Sequence, residues 1–511
     1  MRSMHWLGFA LTAVFVLFSC GCGGVSTAPP HVPAALSAGN VNLIFVVSED
    51  LLHHDSDALD VNPLTTNLTN QGLQRSLLTA PFLQRNVLGE NNVTGIYALE
   101  PMSHLQTTRQ GTYPDIVAME TIQQFALLNQ ITVPASLEGT ARYTGNSFPI
   151  NTAYGSGPLP PGVAASLIYC QGCQGLDLDS SSVLQDQLSD NNQALINQIL
   201  FYDVPGFYVF AAPWETTSSM LTSINSHENY NLTLPASYEG PNFIYAISIP
   251  PSGKTTLVTY NSQVNPPSMF PALPPPALAS APCPLTGKGA QTYFNIVIPG
   301  VNAPAGINTN ETVYLVRHAE AHPTYWFEDG NYVAAGQWRA LDLPNALLGK
   351  LNPVPTQIYS IDPAQATPSG YLNFSYVRPS LTAEPYAIAN NLPLNLVANF
   401  EMFDLSHVIG QENQFFFNVP TYASDPLFSP GPPSFSGQAV LLTWEHSHFA
   451  PTVNALLASY GSSQQVPVEW QDNDYDTIWT VRIDGSGNLT VNNALCEGID
   501  SAKLPATAPQ F

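Results

Sequence analysis

The chain has 511 residues, and its 37 aspartates and glutamates against 13 lysines and arginines give a formal net charge of −24 at pH 7. This charge would repel a polyanion such as DNA or RNA, so no nucleic-acid partner is expected. Hydrophobic residues make up 44% of the chain, a composition typical of globular proteins and not of disordered ones. The length exceeds one ordinary core, so we expect two domains of about 200 residues each.

The first 20 residues have the pattern of a secretory signal peptide. Arg2 supplies a positive charge, and the apolar stretch from Leu7 to Phe18 is too short to span a bilayer. The stretch continues into Ser19 and Cys20, which resembles a bacterial lipobox and predicts a lipidated Cys20; a plain cleaved signal is the alternative. Residues 21–40 are typical of a flexible tether. The lipobox predicts a periplasmic or outer-membrane lipoprotein that contacts the membrane only through its N-terminal lipid.

Six cysteines fit an oxidising compartment. Cys170 and Cys173 could form a tight disulfide, which is favoured over a redox pair because no thioredoxin-like pattern surrounds them. Cys283 and Cys496 could pair with each other, although spacing alone does not show it. A zinc site would need a second close pair of cysteines, so none is expected.

A proline-rich segment divides the chain. Eight prolines fall between Asn265 and Pro284, where they disfavour a helix or a central strand and indicate a semi-rigid linker. We therefore predict one domain over 41–264, a linker over 265–290 and a second domain over 291–511.

Six sequence blocks recur in the same order in the two halves, which we interpret as a tandem duplication of one domain. The first block aligns the apolar run from Leu43 with the apolar run from Val313. The aligned pairs used below are Val47 with Arg317, Ser48 with His318, Gly72 with Gly336, Val117 with Arg378, and Thr216 with His446.

Each half alternates strand-like and helical patterns. Ala439 to Thr443 is a continuous apolar run, typical of a strand buried on both faces, and Ala450 to Tyr460 has helical periodicity. This alternation predicts an α/β fold with a largely parallel sheet, in which ligands bind beyond the carboxyl ends of the strands. His318 and His446 both follow strand ends, so we expect them at the same edge.

Three motifs of the C-terminal half resemble those of one enzyme family. Arg-His-Ala-Glu at 317–320 is similar to the Arg-His-Gly signature of histidine phosphatases. Arg378 begins an Arg-x-x-x-Thr-Ala sequence like the second motif, and Trp-Glu-His at 444–446 resembles the strand end that carries the second histidine. Residues 291–511 thus resemble the histidine phosphatases of the phosphoglycerate-mutase-like superfamily. The resemblance implies two tandem three-layer α/β/α sandwiches, each with a largely parallel central sheet.

The resemblance also implies a metal-independent phosphomonoester hydrolase that forms a phosphohistidine on His318. Arg317 and Arg378 would bind the phosphate oxygens, and His446 would bind and stabilise the transferring phosphoryl group. The partner would be a small phosphorylated substrate, and no metal or other cofactor is implied.

The motifs do not settle the proton donor. The family places a carboxylate after its second motif, which favours Glu401, while Asp404 and Glu445 stay open as alternatives. Three further histidines match no motif and are interpreted as surface or loop residues: His322, His407 and His448.

The N-terminal half lacks the chemical groups of these motifs. Valine, serine or threonine stands at each of the four aligned catalytic positions, so we interpret residues 41–264 as a silent, degenerate copy. The polar run from His53 to Asp57 is interpreted as a solvated loop and not as a metal site. The alternative function is a ligand- or protein-binding surface lipoprotein in which both copies are pseudophosphatases.

Overall fold

A computed structural model describes residues 32–53, 58–101, 104–133, 143–145, 147–152, 187–283, 291–322, 329–361, 363, 375–397, 415–417 and 434–511. Several sequence-predicted features lie outside these residues: Cys20, the Cys170/Cys173 pair, Glu401, Asp404 and His407. Pro33–Phe511 form one mixed α/β unit. Among its described helices, none combines the length and apolar character needed to cross a membrane.

The N-terminal half alternates strands and helices, as its apolar periodicity predicts. Its strands are β1 (Val41–Val47), β2 (Gly95–Ala98), β3 (Leu105–Thr107), β4 (Thr112–Pro114), β5 (Ile131–Val133), β6 (Tyr143–Gly145), β7 (Gly206–Ala212), β8 (Phe243–Ile249) and β9 (Thr256–Asn261). Its helices are α1 (Asn70–Phe82), which continues as a π-helical stretch (Leu83–Val87), α2 (Val117–Leu128), α3 (Gln187–Tyr202) and α4 (Trp214–His227).

The C-terminal half follows the same alternation. Its strands are β10 (Asn295–Ile298), β11 (Glu311–Arg317), β12 (Gln357–Ile361), β13 (Leu394–Val397), β14 (Ala439–Trp444), β15 (Thr477–Ile483) and β16 (Leu489–Cys496). Its helices are α5 (Ala334–Leu347), α6 (Arg378–Asn390) and α7 (Phe449–Ser459).

Each half builds its own main sheet around a central strand, β1 or β11, that is fully buried. Within the described residues the first sheet has the order β2-β7-β1-β8-β9, and the second has the order β10-β16-β15-β11-β14-β12-β13. The central five strands of the second sheet, β12-β14-β11-β15-β16, repeat the order of the first. They also repeat its directions, parallel on the β7 or β14 side and antiparallel on the β8 or β15 side.

The sheets are mixed and less parallel than the sequence predicted. β15 and β16 form an antiparallel hairpin because Asp484 to Gly487 make a tight turn between them, closed by Asp484 N–H donating to Asn488 O at 3.0 Å. β8 and β9 pair in the same way in the N-terminal half. The parallel part of each sheet therefore lies on one side of the central strand.

Backbone hydrogen bonds fix the correspondence between the two sheets. Ser48 N–H donates to Ala212 O at 3.0 Å, and His318 N–H donates to Trp444 O at 3.1 Å. Ser48 thus occupies the place of His318, as the sequence predicts. Ala212, and not Trp214, occupies the place of Trp444, so the predicted alignment of Thr216 with His446 is two residues out of register. The cause is local, since α4 begins almost directly after β7, whereas a short 3-10 turn precedes α7.

The two halves pack through α2 and α6, which begin at Val117 and Arg378. Two amide side chains pair across this contact. Gln123 Nε2 donates to Asn331 Oδ1 at 2.8 Å, and Asn331 Nδ2 donates to Gln123 Oε1 at 3.1 Å. A residue of the N-terminal half therefore holds a loop that lies beside the C-terminal motifs.

The described part of the proline-rich segment is bound to both halves. Gln74 Nε2 donates to Met269 O at 2.6 Å, and Ala281 N–H donates to Gly498 O at 2.9 Å. Cys283 is disulfide-bonded to Cys496, with their Cα atoms 5.6 Å apart, which confirms the pairing that the sequence left open.

Candidate active site

His318 lies directly after β11 and is 1% exposed. Its Nδ1 lies 2.7 Å from Ala319 O. Because a carbonyl oxygen can only accept, Nδ1 carries the hydrogen of this bond. The other ring nitrogen, Nε2, lies 2.9 Å from Glu445 Oε2. The backbone thus fixes the imidazole so that Nε2 faces the interior of the site.

One proton is shared between His318 Nε2 and Glu445 Oε2, because an ionised carboxylate and an unprotonated nitrogen would place two acceptors 2.9 Å apart. Burial, with the positive charges of Arg378 and Arg317, lowers the pKa of His318 to about 3. Burial raises the pKa of Glu445, and the contacts with His318 and His446 oppose this rise only in so far as an imidazole is charged. Burial and the two arginines keep His318 uncharged. We therefore place the shared proton on Glu445.

Glu445 is the centre of a small hydrogen-bonded cluster. Tyr376 donates its hydroxyl to Glu445 Oε2 at 2.5 Å, and His446 Nδ1 contacts Glu445 Oε1. One ring nitrogen of His318, one of His446 and a carboxylate oxygen of Glu445 all lie within 4.8 Å of one another. The side chain of His446 is 20% exposed, so this corner of the cluster opens toward solvent.

Arg317 and Arg378 lie near His318, each against a tyrosine ring. Arg317 Cζ is 3.9 Å from the centre of the Tyr475 ring, and Arg378 Cζ is 4.7 Å from the centre of the Tyr376 ring. The centres of both tyrosine rings lie within 6.1 Å of the centre of the His318 ring. Both guanidinium groups are buried, and their positive charges act on His318. A guanidinium is a planar cation with several donors, a geometry suited to binding an anion.

Arg317 is held by backbone carbonyls. Its Nη1 donates to Asp472 O at 2.9 Å and to Asp474 O at 3.0 Å. Its buried Nε has no hydrogen-bond partner among the described residues. These bonds fix the plane of the guanidinium and leave part of its donor set for a ligand.

Arg378 is the first residue of α6, so its side chain and the helix N-terminus lie at the same place. Its Nη1 lies 3.4 Å from Asn331 O, and its backbone N–H donates to Gly330 O at 3.0 Å. A helix N-terminus carries partial positive charge, which adds to the guanidinium charge at this edge.

Thr382 connects the first and second motifs. Its Oγ1 accepts a hydrogen bond from Ala319 N–H at 2.9 Å and donates one to Arg378 O at 2.7 Å. The spacing Arg-x-x-x-Thr places the threonine one helical turn after the arginine, facing the loop after β11. Gly336 lets α5 approach this loop, because a Cβ there would lie 3.1 Å from Ala319 Cβ and 3.0 Å from Glu320 O.

Glu320 does not face the His318 cluster. Its Oε1 accepts from Arg339 Nε at 2.8 Å, and Arg339 is fully buried among carboxylates. Glu497 contacts Arg339 Nη1, and Asp476 Oδ1 lies 3.6 Å from it. This ion cluster anchors the end of the first motif to α5 and to the C-terminal segment.

The structure brings four sequence-predicted residues together around Glu445: Arg317, His318, Arg378 and His446. Glu445 was one of the alternatives to Glu401. His322, which we interpreted as a surface or loop residue, lies in a loop but is buried: it is 8% exposed and its Nε2 lies 2.8 Å from Asp329 Oδ2. The ring of His448 stacks on Trp444 at 5.0 Å.

Two aromatic residues of the site were not predicted as functional: Tyr376 and Tyr475. Tyr376 stands two residues before Arg378 of the second motif, and Tyr475 stands two residues before β15. Both tyrosines are far from His318 in the sequence, and the fold brings them next to it. Proximity to the second motif was the only sequence signal that could have indicated Tyr376.

Comparison with models of protein families found no match, and comparison with curated proteins found none either. Among solved structures, the chain is similar to a protein assigned as the phosphohistidine phosphatase SixA from Agrobacterium tumefaciens. The two share 18% sequence identity, over 34% of this chain and 93% of that chain, with a TM-score of 0.19. At this TM-score the similarity is weak and does not assign the chain to a family.

Proposed function

We propose that the protein hydrolyses phosphomonoesters without a metal, through a phosphohistidine intermediate on His318. One observation carries this proposal: a buried imidazole, bonded through Nδ1 to Ala319 O, lies within the field of two buried arginines. The bond to the carbonyl leaves Nε2 as the reactive nitrogen, and burial together with the arginines keeps it unprotonated.

The substrate's phosphate enters between His318 Nε2 and Glu445 and replaces their hydrogen bond. Arg317 and Arg378 bind its oxygens, helped by the N-terminus of α6, and His446 supplies a further donor. Nε2 forms a bond to phosphorus as the bond from phosphorus to the ester oxygen breaks. The proton of Glu445 moves to the departing oxygen, which leaves as an alcohol.

Water then completes the reaction. Glu445, now a carboxylate, takes a proton from a water molecule as the water oxygen attacks phosphorus. The bond between Nε2 and phosphorus breaks, inorganic phosphate leaves, and Glu445 is again protonated. The same side chain serves as acid and then as base, so the proton balance closes over one cycle.

We assign the proton donor to Glu445, which the sequence left open as an alternative to Glu401; Glu401 itself lies outside the described residues. Support comes from the 2.9 Å contact of Glu445 with Nε2 and from Tyr376, whose hydroxyl donates to the same oxygen.

We infer that the N-terminal half is a degenerate second copy of the domain. The repeated strand order supports this inference, as does a repeated ion cluster. Arg75, aligned with Arg339, contacts Asp60 and donates to Asn242 Oδ1 at 3.0 Å. Asn242 stands two residues before Ile244, which pairs with Val46, and Asp476 stands two residues before Ile478, which pairs with Val316. Asn242 thus corresponds to Asp476, which lies near Arg339. The scaffold persists where the four catalytic groups have been replaced.

We also infer an extracytoplasmic location, with a lipid on Cys20. This rests on the signal-like first 20 residues and agrees with the disulfide between Cys283 and Cys496, since such bonds persist in oxidising compartments.

One observation favours the alternative of a binding protein that does not turn over substrate. Arg317 already gives two hydrogen bonds to backbone carbonyls, so part of its donor set is taken. In that case the site would hold a phosphorylated ligand without cleaving it.

The deciding experiment is hydrolysis of p-nitrophenyl phosphate by the full chain, purified in detergent, with EDTA present, from pH 4 to 8. His318→Ala is the paired variant. We expect turnover in EDTA that is lost in the variant, and an acid-labile phosphoryl group trapped on the wild-type chain. A folded wild type that binds phosphate but shows no turnover would establish the binding alternative.

A further inference from the structure

The N-terminal half has its own cluster of polar side chains at the corresponding edge of its sheet. Asp50 and His53 follow β1, and Glu215 lies in the first turn of α4, just after β7. Because β1 and β7 are neighbouring parallel strands, their carboxyl ends lie side by side. One donor atom from each of Asp50, His53 and Glu215 lies within 4.8 Å of the other two.

The charge at this edge is opposite to that of the C-terminal site. The first residue of α2 is Val117, where α6 begins with Arg378, and Val47 ends β1 where Arg317 ends β11. The two cations that suit the C-terminal site to an anion are therefore missing. Two carboxylates, from Asp50 and Glu215, gather in the same region and suit it to a cation.

The carboxylates of the cluster have unused acceptor atoms. Asp50 is 1% exposed; its Oδ1 accepts from Leu52 N–H at 2.9 Å and from His53 N–H at 2.5 Å. Its buried Oδ2 has no hydrogen-bond partner among the described residues. The same holds for Glu215 Oε2, while Glu215 Oε1 contacts His53 Nδ1. Buried carboxylates are stable when they are paired with cations or bound to metals. The imidazole of His53 carries at most one positive charge, which is too little to balance the two carboxylates.

A second histidine faces the cluster with its ring already oriented. His104 Nδ1 lies 2.7 Å from Asp115 Oδ2, and His104 Nε2 lies 3.9 Å from Asp50 Oδ2. Asp115 is itself held, since its Oδ1 accepts from Val117 N–H at 3.0 Å. A carboxylate that binds one nitrogen of an imidazole and leaves the other facing outward is the usual support of a metal-binding histidine.

From these contacts we propose that the N-terminal half binds a divalent transition-metal cation through Asp50, His53 and Glu215, with His104 on the fourth side. Mixed imidazole and carboxylate donors suit Zn²⁺ or Mn²⁺, whereas Mg²⁺ and Ca²⁺ prefer oxygen donors alone. The site departs from our interpretation of the run from His53 to Asp57 as a solvated loop at His53 alone, because residues 54–57 lie outside the described part of the chain. It does not depend on turnover at His318.

The test measures zinc on the full chain, purified in detergent without reductant so that the disulfide stays closed. The chain is stripped with EDTA, dialysed, and titrated with Zn²⁺ by calorimetry, and bound metal is counted by mass spectrometry. We expect one saturable zinc per chain and much weaker heat with Mg²⁺. In Asp50→Asn/Glu215→Gln the affinity should fall at least about tenfold. Asparagine keeps the Oδ1 acceptor, so the loop after β1 retains its hydrogen bonds.

A matched variant separates this site from the His318 cluster, which also groups imidazoles with a carboxylate. His446→Ala removes a ring nitrogen from that cluster and should keep the zinc. Circular dichroism in EDTA checks folding, and zinc should raise the melting temperature of the wild type only when Asp50 and Glu215 are intact. The proposal is overturned by a wild type without saturable zinc, by unchanged affinity in the double variant, or by loss of zinc in His446→Ala.

Discussion

Glu445 Oε2 lies 2.9 Å from His318 Nε2, the ring nitrogen left over once Nδ1 has bonded to Ala319 O. The carboxyl group of Glu445, the proposed proton donor, is therefore close enough to the nucleophilic nitrogen of His318 for both to reach the same phosphate. Separate experiments can test the proton donor, the nucleophile, the loop that carries His318, and the contribution of the N-terminal half.

Replacing Glu445 with glutamine should slow hydrolysis of poor leaving groups most. An alkyl phosphate needs a proton on its departing oxygen, so its kcat should fall by about 10² or more, whereas p-nitrophenyl phosphate should lose much less. Steady-state kinetics on both esters measure the difference. Glu401→Gln is the comparison, because Glu401 was the sequence-based candidate. If Glu401→Gln shows the leaving-group dependence and Glu445→Gln does not, the assignment of Glu445 is wrong.

The acid limit of activity should lie unusually low. The attacking nitrogen must be unprotonated, and burial with two arginines lowers the pKa of His318 to about 3. The nucleophile therefore stays competent down to that range and is lost only as pH falls through it. An NMR titration of the labelled imidazole checks this value directly. Arg378→Leu should move it toward the ordinary value of about 6.5, and Arg482→Leu, which changes an exposed arginine on β15, should not.

Much of this site could be predicted from the sequence because its parts follow local patterns. Arg317 and His318 end a buried apolar run, and the spacing from Arg378 to Thr382 is one helical turn. Contacts between distant segments had no such signal. Tyr376 and Glu445 are 69 residues apart, yet they share a hydrogen bond. The donor was therefore chosen from the family pattern and not from geometry.

Two further features had no local signal either. His322 is a loop residue, as the sequence allowed, but it is buried against Asp329, which also accepts a hydrogen bond from Ser147 of the other half at 2.7 Å. Trp214 was aligned with Trp444 on sequence alone, whereas the strand register sets Ala212 there. Burial between the halves and register between strands depend on contacts made only in the assembled fold. The periodicity of a single segment does not predict such contacts.

Thr382 should be needed to hold the loop that carries His318. In Thr382→Val the N–H of Ala319 loses its acceptor in a buried place, which costs about 1–3 kcal/mol and frees the loop to shift. We expect a lower kcat, a lower midpoint of urea unfolding, and recovery of both in Thr382→Ser, which restores the hydroxyl. A valine variant that matches the wild type, with a serine variant that falls below it, would show that the methyl group, and not the hydrogen bond, matters.

The N-terminal half should affect activity through Gln123. This residue pairs with the side chain of Asn331, whose carbonyl lies 3.4 Å from Arg378 Nη1. In Gln123→Ala the side chain of Asn331 loses one of its partners in the N-terminal half and keeps Phe148 O. KM should therefore rise several-fold as Arg378 becomes less well placed, with little change in the pH profile. Gln124→Ala is the matched control, since Gln124 is equally buried on α2 but bonds to Pro509 O at 3.0 Å. Identical kinetics for the two variants would remove Gln123 from this role.

Glu120, buried on α2 where it meets α6, should make the protein less stable as the pH rises. Burial raises the pKa of this carboxyl to about 8, whereas in the unfolded chain it returns to about 4.5. The unfolded state therefore releases the proton more readily, and stability falls from about pH 4.5 upward until the folded carboxyl has ionised near pH 8. Glu120→Gln carries no such proton, so its melting temperature should decline less between pH 5 and 8 than that of the wild type. Thermal melts at matched ionic strength measure both curves, with exposed Glu90→Gln as the control. Parallel curves for wild type and Glu120→Gln would mean that Glu120 ionises in the folded protein at its ordinary pKa.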